Sequence, residues 1–65
     1  MTRIRKSKQL REFEPILLRN GYRYARSRGS HITYINRTTH KRITVNQNLN
    51  AMVRLRLIKE NNLEV

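Results

Sequence analysis

His31 is the side chain of this sequence best suited to acid–base chemistry, and it directly follows the basic turn Arg28-Gly29-Ser30. An imidazole at the start of a strand can act as a general base on a ribose 2′-hydroxyl, which then attacks the adjacent phosphate. Arg26 and Arg28 would stabilise the negative charge that develops on that phosphate. A lone histidine at such a position is also common as an ordinary surface residue, so the residues alone leave both interpretations open.

The other residues that could do chemistry form no recognisable cluster. The chain has no cysteine, and its two histidines and four acidic residues are scattered along the sequence. Disulfides and thiolate metal sites are therefore excluded, and we expect neither a metal site nor a cofactor. The second histidine, His40, lies in a polar stretch where solvent or a phosphate would be its neighbour.

The net charge restricts the partners most strongly. Fifteen lysines and arginines against four acidic residues give a formal charge of +11. Self-repulsion at this density opposes a compact monomer, so we expect a polyanion and an acidic protein as partners. Tyr22, Tyr24 and Tyr34 lie between the cations and could stack on unpaired bases, although tyrosines in strands more often pack in a core. RNA is favoured over DNA because strands separate the two predicted helices, and this order excludes a helix-turn-helix DNA-binding motif.

Neither a membrane segment nor an export signal is indicated. The longest apolar run, Ile16-Leu17-Leu18, is far shorter than the roughly 20 residues of a membrane-spanning helix. The basic start of the chain is not followed by the apolar stretch that a signal peptide requires. We therefore expect a cytoplasmic protein with no membrane partner.

A helix is predicted to begin near Lys8, because Ser7 can cap it and apolar residues then recur at helical spacing. Pro15 interrupts this pattern and would either kink the helix or begin a fresh turn. Asn20-Gly21 would end the helix, with the glycine in the left-handed conformation.

Three strands are predicted at 22–26, 31–35 and 42–45, and a second helix after Asn48 or Asn50. Short links favour an antiparallel meander. The predicted fold is α+β, in the order α-β-β-β-α, with two helices on one face of a three-stranded antiparallel sheet. This is the outline of a double-stranded-RNA-binding domain. The length predicts a single domain over 1–65, whose first seven residues would form a basic arm, flexible or bound to a polyanion.

Several short runs occur in an order typical of one known family. They are Asn20-Gly21-Tyr22, Gly29-Ser30-His31 directly before a strand, Ile43-Thr44-Val45, Leu49-Asn50-Ala51-Met52-Val53 and Leu57-Ile58-Lys59. In a chain of this size and charge, these runs mark a resemblance to the HicA family of bacterial toxins, which extends over nearly the whole chain from Leu10 onward.

This resemblance implies a modified double-stranded-RNA-binding fold and the toxin of a type II toxin–antitoxin pair. It implies a metal-independent endoribonuclease that cleaves mRNA, and a HicB-type antitoxin that covers the active site. By the resemblance, His31 takes the catalytic role, and Gly29 and Ser30 shape the turn that presents it. Charge and position add the expected RNA contacts, which are Arg26, Arg28, Ser30 and Lys41.

Two features depart from the family pattern. Members often carry a proline and a histidine after the third strand, where this sequence reads Val45-Asn46-Gln47, and their first helix lacks a proline such as Pro15. The first change removes a polar ring that could assist the chemistry. The main alternative is therefore a non-catalytic RNA-binding module in which His31 contacts a phosphate, and a small structural protein that binds one structured RNA is a third.

Overall fold

The computed structural model describes residues 6–65, so residues 1–5 of the predicted basic arm lie outside the described residues. The elements are α1 (Lys8–Arg19), β1 (Tyr22–Arg28), β2 (His31–Asn36), β3 (Arg42–Asn46) and α2 (Ala51–Glu60). The predicted order of helix, three strands and helix is confirmed.

The three strands form one antiparallel sheet in the order β1-β2-β3, and both helices cover the same face of it. Apolar residues at alternate positions of β2 and β3 point into the core and meet one face of α1. The fully buried core side chains include Leu10, Phe13, Leu17, Ile32 and Tyr34. The second helix packs more loosely, since none of its side chains is fully buried. No other helix or strand of residues 6–65 covers the opposite face of the sheet.

Capping residues fix both helices where the sequence predicts. The Ser7 hydroxyl accepts the Leu10 N–H at 3.2 Å and donates to the Leu49 carbonyl at 2.7 Å, which ties α1 to the segment before α2. Asn50, one of two predicted candidates, caps α2. Pro15 lies inside α1, which continues through it as a single helix.

A buried asparagine connects the end of α1 to the sheet through hydrogen bonds. Asn36 is 7% exposed, and its amide donates to the Asn20 carbonyl at 3.0 Å while its Oδ1 accepts the N–H groups of Thr38 and Thr39. Gly21 has φ +87°, and a Cβ there would lie 3.3 Å from the Asn36 amide nitrogen. The predicted glycine cap is confirmed, and a side chain at this position is disfavoured both by the positive φ and by this close contact.

Candidate nucleic-acid interface

We use the name "open face" for the sheet surface that points away from the helices. Cross-strand pairing arranges its residues in three rows, each centred on a residue of β2. The rows are Arg28–His31–Asn46, Arg26–Thr33–Thr44 and Arg23–Ile35–Arg42. His31 therefore has an arginine on one side and an asparagine on the other, on the central strand of the sheet.

A β-bulge in β1 brings two of the predicted arginines to the open face. Tyr22 and Tyr24 point toward the helices, and strict alternation would send Arg26 the same way. The register shifts between Tyr24 and Arg26, so that the extra residue, Ala25, is left without a partner and Arg26 pairs with Thr33. Beyond the bulge the faces are reset, and Arg26 and Arg28 lie on the same side of the sheet as His31.

The turn before His31 is held by hydrogen bonds to the end of β3. Gly29 has φ +58°, the left-handed conformation that a tight two-residue hairpin turn requires of its first residue. The Ser30 carbonyl accepts the Gln47 N–H at 2.8 Å, and the Asn46 amide donates to the Ser30 hydroxyl at 3.4 Å. Gly29 and Ser30 thus form the short turn that leads into His31.

Negative charge is confined to the helical side of the domain. Glu12 and Glu14 belong to α1, Glu60 belongs to α2, and Glu64 follows it. Within residues 6–65 the ion pairs are Lys6–Glu14 at 2.8 Å, Arg54–Glu12 at 3.4 Å and Arg56–Glu60 at 4.0 Å. None of them involves an open-face cation, so the positive field of that face is not neutralised by a neighbouring carboxylate.

The arginines of the open face differ in what they contact. The Arg23 guanidinium turns back around the sheet edge and donates to the Leu18 carbonyl at 3.1 Å and the Tyr22 carbonyl at 2.9 Å. Arg26, Arg28 and Arg42 are exposed. These three side chains are the open-face cations available to a ligand.

Lys41 is exposed but lies away from His31. It precedes Arg42, which pairs with Ile35, four residues along β2 from His31. Four residues of a strand span about 14 Å, so Lys41 and His31 cannot contact the same phosphate. His40, with φ +64°, lies in the same distant loop. The structure therefore brings Arg26, Arg28, Ser30 and His31 together and leaves Lys41 at the far end of the sheet.

Two of the three tyrosines that could have stacked on bases are core residues instead. Tyr22 and Tyr34 are 3% and 2% exposed and belong to the core. Tyr24 is exposed, but it lies on the helical side, edge-on to Tyr34 with ring centroids 6.3 Å apart. The alternative interpretation, core packing, holds for Tyr22 and Tyr34.

Two residues of the open face, Arg42 and Asn46, are not among the site residues that the sequence predicts. Arg42 alternates with the buried Ile43 and Val45, and this alternation alone would have assigned it to the open face. Asn46 is the last residue of β3 and pairs with His31, whereas the predicted strand ended at Val45. A strand end of this kind depends on long-range pairing and has no local signal.

Residues 6–65 contain neither a candidate metal site nor a candidate membrane-spanning helix. No three histidine or glutamate side chains there come close enough to hold a metal ion. Among those same residues, no helix combines the length and the apolar character needed to cross a membrane.

Comparison with known proteins gives one result. The family model described as "HicA toxin of bacterial toxin-antitoxin" matches residues 10–60, which include all five helices and strands except the first two residues of α1. Comparison with the curated proteins and with the solved structures gives no significant match.

Proposed function

The chain belongs to the HicA toxin family and is the toxin of a toxin–antitoxin pair, and from this premise we propose that it is a metal-independent endoribonuclease that cleaves mRNA in the cytoplasm. His31 is the general base. Arg26, Arg28 and Ser30 contact the RNA near the cleaved bond, and Lys41 contacts it further along the strand. The observation that carries the proposal is the pairing of His31 with Arg28 on a sheet face that has no acidic residue.

The proposed reaction is an internal transesterification. The neutral imidazole of His31 takes the proton of a ribose 2′-hydroxyl, and the 2′-oxygen forms a bond to the adjacent phosphorus. The bond from phosphorus to the 5′-oxygen of the next nucleotide breaks, and this oxygen takes a proton from solvent. The products are a 2′,3′-cyclic phosphate and a free 5′-hydroxyl. The proton that His31 takes is matched by the proton that solvent gives, so the step needs no metal ion.

The arginines would stabilise the negative charge that develops at phosphorus. The pentavalent species carries more negative charge on its equatorial oxygens than the starting diester, and a fixed cation beside it lowers the barrier. Arg28 is the cation directly opposite His31, and Arg26 lies one row further along the sheet. Arginine suits this role because its planar guanidinium donates two parallel hydrogen bonds to phosphate oxygens.

Membership in the family implies a cognate antitoxin. We propose that it is of the HicB type and that an acidic surface of it covers the open face. A protein that places carboxylates against Arg26, Arg28 and Arg42 would neutralise that face and exclude RNA from His31. Such a complex should weaken with increasing salt.

The decisive experiment compares three proteins on a long mRNA in the presence of EDTA. The wild type and a His40→Ala control should cleave, whereas His31→Ala should bind the RNA without cleaving it. His40 is the matched control because it is the other histidine and lies at the far end of the sheet. If none of the proteins cleaves while all bind in a salt-sensitive manner, the proposal fails and the non-catalytic RNA-binding module is the better interpretation.

A further inference from the structure

A shallow cleft on the open face lies one row away from His31. It has a volume of about 240 Å³ and is lined by Ala25, Arg26, Thr33, Ile35 and Arg42. Arg26 comes from β1 and Arg42 from β3, so the two arginines approach the cleft from opposite sides of β2. The bulge contributes as well, since it turns both Ala25 and Arg26 toward this cleft.

The lining matches the chemistry of a phosphodiester group. Two guanidinium groups supply charge and paired N–H donors for anionic oxygens. The Thr33 hydroxyl lies 3.2 Å from the Thr44 hydroxyl, and when Thr44 donates to it, the Thr33 proton is free to donate to a ligand. Ala25 and Ile35 form the apolar part of the cleft lining.

We propose that this cleft is a phosphate subsite, in which Arg26 and Arg42 together bind the phosphodiester adjacent to the one cleaved beside His31. The inference rests on the proposed function, because it takes an RNA strand as the ligand. Thr33 is two residues from His31 along β2, a separation of about 7 Å. This is comparable to the repeat of an extended nucleotide backbone, so one RNA strand that follows β2 places successive phosphates at successive rows.

The subsite assigns Arg42 a role in RNA binding. It becomes a substrate-binding residue on β3, whereas Arg28 lies on β1. A strand bound at both rows is held at two points, so its scissile phosphate cannot rotate away from the imidazole.

The test uses a short single-stranded RNA with 2′-O-methyl groups at every position, which cannot be cleaved through the 2′-hydroxyl. Its affinity for the wild type, Arg42→Gln, Arg26→Gln and the double variant is measured by fluorescence anisotropy at several salt concentrations. Each single variant should bind about tenfold more weakly or worse, and the slope of log K against log salt should fall by about 0.7. In the double variant, the total loss should be smaller than the product of the single losses, because the two arginines share one phosphate.

Arg56→Gln is the matched control, since it removes the same charge from an exposed position on α2. If Arg42→Gln and Arg56→Gln weaken binding equally, the arginines act only through the overall field and the subsite is overturned. Strict additivity of Arg26 and Arg42 would overturn it as well. Thermal unfolding of each variant identifies any loss that reflects a folding defect, and partial recovery in Arg42→Lys is the result expected of a phosphate contact.

The two proposals fail in different ways. Cleavage of ordinary RNA by the wild type, together with Arg42→Gln binding like the control, would remove the subsite and leave the endoribonuclease. Non-additive binding at Arg26 and Arg42 without cleavage of any RNA would leave the subsite as part of a binding module. Absence of RNA binding by the wild type would overturn both.

Discussion

Arg28 and His31 stand directly opposite each other where β1 ends and β2 begins, joined by the two-residue turn Gly29-Ser30. Opposed residues of an antiparallel pair have their Cβ atoms about 5 Å apart. The Gly29 backbone and the hydrogen bond from Gln47 to Ser30 hold this turn, so the backbone positions of Arg28 and His31 are fixed relative to each other. A phosphate bound beside His31 is within reach of the Arg28 side chain.

The first prediction concerns the rate of the chemical step. If Arg28 stabilises charge at the phosphorus, Arg28→Gln should lower the single-turnover rate of RNA cleavage by about 10²–10³-fold, the usual cost of one lost donor at a developing anion. Affinity for uncleavable RNA should fall much less. Rates are measured at saturating protein, and Arg37→Gln, in the exposed β2–β3 loop, is the control. An equal loss of rate in both variants would show that Arg28 contributes only to the general field.

The second prediction tests how the bulge sets the faces of β1. Deletion of Ala25 should convert the bulge into a regular ladder in which Arg26 and Arg28 still lie on the open face, because Ala25 is the extra residue. This variant should remain folded and bind RNA. Deletion of Ser27, which pairs with Ile32 on the inner face, shifts Arg28 by one position and turns it toward the helices. Circular dichroism and RNA affinity separate the two variants, and a folded, fully active Ser27 deletion would contradict the assignment.

The order of the elements could be predicted from the sequence because each has a local signal. Ser7 and Asn50 cap helices by hydrogen bonds to residues only three positions away. Ile43 and Val45 alternate with exposed residues, which is the signature of a strand with one buried face. These contacts and patterns involve residues close together in the chain, so they can be predicted from the sequence without the tertiary structure.

The arrangement of the site could not be predicted in the same way. The alternation of Tyr22, Tyr24 and Arg26 predicts that all three share a face, and only the pairing with β2 introduces the bulge that separates them. Asn46 and Lys41 are also distinguished by pairing alone. Asn46 lies opposite His31, whereas Lys41 precedes Arg42, whose partner Ile35 is four residues from His31. Residue types single out His31 and the arginines as candidates, whereas strand register decides which of them lie side by side.

The third prediction concerns the two glycines with positive φ. Gly21→Ala should destabilise the fold by the strain of a left-handed residue, about 1–2 kcal/mol, and by the contact of its Cβ with the buried Asn36 amide at 3.3 Å. Gly29→Ala should add only the strain, since among residues 6–65 no atom beyond its chain neighbours lies within 4 Å of the added Cβ. Urea unfolding at neutral pH measures both. A loss in Gly29→Ala equal to or above that in Gly21→Ala would contradict the role assigned to Asn36.

The fourth prediction links the core to alkaline pH. The Tyr34 hydroxyl donates to Glu14 Oε2 at 2.6 Å, and the same oxygen accepts from the Lys6 ammonium at 2.8 Å. Burial, followed by the hydrogen bond to Glu14, raises the pKa of Tyr34 above its ordinary value near 10. The folded protein therefore keeps this proton at a pH where the unfolded chain loses it. The corresponding stability is fully present below about pH 10 and is lost as the pH rises above that value.

Tyr34→Phe removes both the hydrogen bond and the titrating group. At pH 7 the variant should be less stable than the wild type by about 1.5–3 kcal/mol, the range for hydrogen bonds to a charged partner. The difference should shrink between about pH 9.5 and 11, because only the wild type loses stability through this tyrosine. Urea unfolding across this range measures it, and lysine titration is common to both proteins. Tyr24→Phe, which alters an exposed hydroxyl 3.1 Å from Ser27, is the control and should follow the wild-type curve. Parallel curves for Tyr34→Phe and the wild type from pH 7 to about pH 11 would show that the Tyr34 proton is not coupled to folding.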